Sequence, residues 1–239
     1  MFLPVILSLL HLFCVDASVG NLNCTSRQAP RRSAKSSGAV LRYTIQASTR
    51  VAFDQARQAA KASIVVDKAG VTADKKGVLL KLNTGKTRFF QNKLTPQNED
   101  EVAEFRYKGR IPALKKYVVA GMFWEAGRVF LVDERSGQTD TIWSEPICAP
   151  DFKLMAALNE GLVFEDDLNG VQVYSSAGGR IRKMFAINQQ KWVPINLVWN
   201  GNKRFILRVM SAEEAMAQSA QHKPNDTKYR YLQVIIKDL

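Results

Sequence analysis

Histidine, the side chain best suited to proton transfer near neutral pH, occurs twice in this 239-residue chain, at His11 and His222. His11 lies inside an apolar run, and His222 stands among Gln221, Lys223 and Pro224, a surface-loop setting. A Ser-His-Asp or Cys-His nucleophile would have to be built on His222 alone. The cysteines, Cys14, Cys24 and Cys148, show no metal-ligand spacing. Gly178-Gly179 reads as a hairpin tip between two strands, not as a phosphate loop, because no helix pattern follows. Glu165-Asp166-Asp167-Leu168-Asn169-Gly170 sets oxygen ligands before a glycine like a fragment of a calcium loop. Counted from Glu165, however, the twelfth position is Ser176, where a bidentate Glu belongs; a connecting turn with Asn169-Gly170 at its tip is the favoured reading. These residues predict no catalytic group, no cofactor and no metal, and hence a protein that is not an enzyme. A hydrolase using two carboxylates stays open as the alternative, since sequence does not give the separation of a pair of acids.

The remaining functional material is aromatic. Trp124, Tyr174 and Trp192 fall near strand ends, where rigid aromatics anchor protein partners. Packing between neighbouring repeats is the competing use of the same residues, and Trp143 and Trp199, inside strand patterns, are expected in the core.

Several segments must position these groups. Phe2 to Phe13 is apolar apart from Pro4, Ser8 and His11, long enough for a signal-peptide core and too short for a bilayer span. Small residues at Val15 and Ala17 suit cleavage before Ser18, so residues 1–17 are read as a signal peptide and the mature chain as periplasmic or secreted. An oxidising compartment would let Cys24 and Cys148 pair; a free buried thiol at Cys148 is the other reading. The formal charge of +12 is concentrated before residue 94. Residues 18–38 form a basic flexible arm, and Arg27, Arg31, Arg32 and Lys35 suit peripheral contact with an anionic surface through residues 27–35. No nucleic-acid motif accompanies this charge, and no later segment is long and apolar enough to span a membrane.

Periodicity gives the rest. Residues 39–77 read as a mixed segment: a strand near Val40 to Gln46 and an Ala-rich helix over Val51 to Ala62. Residues 78–239 read as a β-repeat domain, opening with a hairpin whose tip is Asn83-Thr84-Gly85. Thr95 to Glu104, acidic and containing Pro96, reads as a loop. Val129, Leu131, Gly137, Ile142 and Trp143 match Val171, Val173, Gly179, Met184 and Phe185 at a constant offset of 42 residues, a spacing proper to β-repeats. Ser211 and Glu214 have capping-box spacing and open a second helix, after which Tyr229 to Lys237 alternates as a closing strand.

The run Ile111-Pro112-Ala113-Leu114, Tyr117-Val118-Val119, Phe130-Leu131-Val132-Asp133 and Ser136-Gly137-Gln138-Thr139 before Trp143 resembles exported bacterial proteins with WD40-like or TolB-like β-propeller repeats. Those repeats place Ser-Pro-Asp-Gly at the start of a blade; here Ala149-Pro150-Asp151-Phe152 stands there, with Phe152 in place of glycine. The resemblance implies a mainly β, partial or small propeller-like domain with two short helices. Size, export and the missing catalytic groups together predict a non-enzymatic binding protein acting through its β-repeat surface on a protein partner, of the inhibitor or immunity type. A cell-envelope scaffold is a further reading.

Overall fold

Alternating apolar residues from Val71 onward form antiparallel strands that gather into four sheets. The structure, a computed structural model, describes residues 43–95, 101–124, 126–161, 169–221 and 229–237. The expected signal peptide, the basic arm, Cys24, His222 and Glu165 to Leu168 lie outside these residues.

The first sheet is a meander of β2 (Val71–Asp74), β3 (Gly77–Lys81) and β4 (Thr87–Gln91). The second runs through β5 (Ala103–Ile111), β6 (Lys116–Phe123), β7 (Gly127–Asp133) and β8 (Thr139–Ile142). The third follows with β9 (Ile147–Cys148), β10 (Leu154–Asn159), β11 (Gly170–Ser175) and β12 (Arg182–Asn188). The fourth takes β13 (Trp192–Gly201), β14 (Arg204–Ser211) and β15 (Arg230–Ile236), and its outer place is filled by β1 (Tyr43–Ala47), which pairs antiparallel with β15. Strands from both sides of residue 78 therefore share sheets.

Buried side chains stack the sheets in chain order. Phe90 and Val78 meet Tyr117, Val119 and Val132 between the first and second sheets. Val118, Leu131 and Ile142 meet Met155, Ala157 and Tyr174 between the second and third. Val171, Val173 and Ala156 meet Leu197, Phe205 and Val234 between the third and fourth. The far face of the fourth sheet is closed by α1 (Arg50–Ala59), whose Phe53 and Ala56 pack on Val198 and Ile206. Among the described residues no buried cluster joins the first sheet to the fourth, so the array is an open β-repeat and not a closed ring.

The 42-residue register holds along β7 and β11 and is lost in the strands that follow them, where Val129 pairs with Ile142 but Val171 pairs with Ile187 in place of Met184. β7 and β11 are the third strands of adjacent sheets, and Val129, Leu131, Val171 and Val173 each point toward the next sheet in the stack. Gly137 and Gly179 occupy the same left-handed backbone state, with φ of 73° and 75°. Trp143 and Phe185 are both half-buried but not equivalent: Trp143 follows the end of β8, whereas Phe185 lies inside β12 opposite Val173. Both helices fall where expected: the Thr49 hydroxyl accepts the Ala52 amide (3.2 Å) to start α1, and Ser211 Oγ accepts the Glu214 amide (3.2 Å) to start α2 (Ala212–Gln221).

Two local expectations are corrected. The stretch read as a loop to Glu104 gives way at Ala103 to β5, in which Glu104, Arg106, Lys108 and Arg110 alternate with Phe105, Tyr107 and Ile111 as in a half-buried strand. Asn169-Gly170 is not an exposed hairpin tip. Asn169 is fully buried and its amide nitrogen donates to the carbonyls of Gln189 (2.8 Å) and Trp192 (2.6 Å), clamping the start of β11 to the connection between β12 and β13.

Candidate groove between the second and third sheets

Cross-strand pairing places Arg106, Ala120, Val129 and Ile142 in one row, and Glu104, Met122 and Gly127 in the next. Toward this end the side chains of the second sheet become small: Ala120 stands where Val118 fills the core one pair earlier, and Gly127 has no side chain. The third sheet does not fill the space, and a groove of about 780 Å³ results. Val129, Trp143, Ile147 and Leu158 give it an apolar lining, and charged residues from β5 and from the ends of β8 and β10 give it a polar one. That combination suits a ligand held by shape with a few orienting contacts.

Most of the charges are neutralised in place. Glu104 holds Arg106 (2.9 Å) and Glu145 holds Lys108 (2.6 Å). All four side chains are exposed enough that these pairs add little stability and exchange readily with charges on a ligand. Glu160, exposed just past the end of β10, has no ion pair among the described residues. Met122, 61% exposed, lines the groove, and Trp124, 55% exposed, follows it in the connection from β6 to β7.

The three aromatic candidates separate here. Trp124 presents its ring to solvent. Trp192 is buried and packs in the core between the third and fourth sheets. Tyr174 is also buried, its hydroxyl donates to Gln172 Oε1, and burial pushes its phenol up to about 12. It lines, with Trp143 and Arg128, a smaller hollow of about 300 Å³ beside the groove. Packing between repeats thus accounts for Tyr174 and Trp192, while Trp199 is buried as expected and donates its indole N–H to the Ile147 carbonyl (2.8 Å). Glu104, Arg106 and Lys108 escaped the sequence reading, and their alternation with Phe105 and Tyr107 is the signal that could have found them.

The far end of the same sheet face carries a second polar cluster. Lys116, 2% exposed, contacts Asp133 (3.2 Å) and Asp140 (3.9 Å). Cys148 is buried, with no disulfide partner among the described residues, and burial pushes its thiol up to about 11. Among the described residues no group of three or more His, Cys, Asp or Glu is placed to hold a metal ion, and no helix is long and apolar enough to cross a membrane. Comparison of the chain with known protein families, with characterised proteins and with solved structures returns no match.

Proposed function

We propose that this is an exported binding protein that receives an extended segment of a protein partner in the groove between its second and third sheets, in the manner of an inhibitor or immunity protein. The observation that carries the reading is the groove itself: an apolar lining, a rim of exchangeable ion pairs, and an unburied Met122 in its wall, with the exposed Trp124 two residues further along in the β6–β7 connection. Exposed Trp and Met beside a recess are the anchors that partner surfaces use. The kinship with WD40-like and TolB-like repeat proteins belongs to the same proposal; the 42-residue register of β7 and β11 and the turn at Phe152 support it.

The carboxylate-hydrolase alternative requires two acids working together. Two of the three groove glutamates are engaged by Arg106 and Lys108, which favours binding over hydrolysis.

Peptides of about 12 residues selected from a display library on the wild-type protein test the proposal. Ala120→Trp, which fills the groove, and Trp124→Ala should each weaken the selected peptides by about tenfold or more, with melting curves unchanged in shape. Selected peptides that bind Ala120→Trp as well as wild type, or the absence of any selected peptide, would sink it.

A further inference from the structure

Every sheet but one is covered on both faces. The first sheet is packed on the second by Val78, Leu80 and Phe90, and among the described residues no buried cluster covers its other face. On that face Leu79 and Phe89 pair across β3 and β4, with Thr72 opposite Leu79 on β2. Leu79 is 37% and Phe89 48% exposed, and they border a shallow depression of about 300 Å³ that also touches Asp74, Lys76 and Gly77.

The charge around this apolar pair is one-sided. Lys68, Lys75, Lys76, Lys81 and Lys86 are all exposed, and none forms an ion pair among the described residues, whereas Arg88 belongs to the other face, over the Phe90 ring. Of the two acids of this segment, Asp67 pairs with Arg110 of the second sheet (3.3 Å), while Asp74, which accepts the Lys76 backbone amide (2.7 Å), keeps its charge at the edge of the depression and is outnumbered there by the lysines. In the groove, by contrast, Arg106 and Lys108 are each paired with a glutamate. Uncompensated cations ringing an apolar patch call for a ligand that carries both acids and apolar side chains.

We infer that the outer face of the first sheet is a second docking surface, distinct from the groove, for an acidic polypeptide segment of a partner protein that seats an apolar side chain against Leu79 and Phe89. A second copy of this chain does not fit, because two such faces would bring like charges together. A flat anionic surface fits less well, because a depression has nothing to take from it, whereas a protruding side chain fills it.

The probe is a fluorescein-labelled peptide of about 12 residues that alternates Glu with Leu and Phe, measured by fluorescence anisotropy. Phe89→Ser, and Lys76→Glu combined with Lys86→Glu, should each weaken it by about tenfold. Arg180→Glu combined with Arg182→Glu, the same charge change on exposed residues of the third sheet, should stay within about twofold. Ala120→Trp should leave this binding unchanged, which separates failure here from failure of the groove proposal. Hydrogen exchange should show peptide-dependent protection over residues 71–91. The inference is overturned if the third-sheet control loses as much affinity as the first-sheet variants, if a peptide with Gln for Glu binds equally well, if protection appears elsewhere, or if phosphatidylserine vesicles or duplex DNA bind this face in preference to the peptide.

Discussion

Two aspartates share one lysine, and their environments drive them in opposite directions. Burial alone would raise the Asp133 carboxyl, but the Ser136 amide (2.8 Å) and hydroxyl (2.9 Å) donate to it and Lys116 stands beside it, and together they hold it down at about 2. For Asp140 burial dominates and the carboxyl is raised, despite the pull of Lys116. A depressed folded value means that Asp133 stabilises the fold above the ordinary carboxylate range and loses that contribution as pH falls toward 2. A raised value means that the Asp140 charge is a cost at neutral pH, relieved on protonation. We therefore expect Asp133→Asn to lower the stability at pH 7 by roughly 2 kcal/mol and to flatten the acid limb of urea-unfolding measurements, while Asp140→Asn is neutral or stabilising at pH 7. Equal losses from both variants would contradict this. None of it was legible in the sequence, where Asp133 and Asp140 are indistinguishable surface acids; what separates them is a turn hydrogen bond and a degree of burial. The same holds for Trp124 and Trp192, alike in sequence context and opposite in exposure.

The turns that begin the repeats carry the element-scale information. Phe152 adopts a φ of 56°, the left-handed state that the propeller-type turn normally assigns to glycine, and its amide donates to the Ala149 carbonyl (2.9 Å). Phe152 holds this state without being glycine, and its ring packs against the core between the second and third sheets. Gly170 has no such latitude: φ is 140°, and an added Cβ would lie 1.8 Å from the Ile187 carbonyl oxygen. Gly85, at φ 82° in the β3–β4 turn, has nothing within 4 Å of that position. Gly170→Ala should cost about 3 kcal/mol or more and Gly85→Ala about 1 kcal/mol in denaturant unfolding, the difference being steric collision added to backbone strain. Similar losses would show that strain alone decides. Elements whose ends are marked by caps or turns, α1, α2 and the β3–β4 hairpin, were readable from sequence. Strand β5 was legible only as the alternation of its charges with Phe105, Tyr107 and Ile111; that Glu104, Arg106 and Lys108 line a cavity is a fact only the folded chain creates, and half the rim of the groove went unread with it.

At the scale of the whole molecule the fourth sheet depends on a strand contributed from the opposite end of the described chain. β1 pairs with β15 along its full length, Gln46 Nε2 donates to Gln233 Oε1 (2.7 Å), and Tyr43 stacks on Phe185 of the third sheet with ring centroids 4.9 Å apart. Replacing Tyr43–Ala47 with Gly and Ser should speed amide exchange across β15 and leave the second sheet protected, because the sheets are stacked through separate cores. Uniform loss of protection would show that the array unfolds as one unit. The order of the sheets along the chain was foreseeable from the repeat, but nothing in the residues of β1, a short half-exposed strand, names its partner.

The distance between those two strands has a temporal meaning. Gln46 and Gln233 are 187 residues apart in sequence. A ribosome adding about 5–20 residues per second needs about 10–40 s to make that stretch. The first three sheets, each a local meander, emerge complete during this interval, while β1 leaves the ribosome early and has no mate. The last sheet is thus sealed only after nearly all of the described chain has been translated, and until then β1 is the strand most open to capture by another nascent chain or by a chaperone.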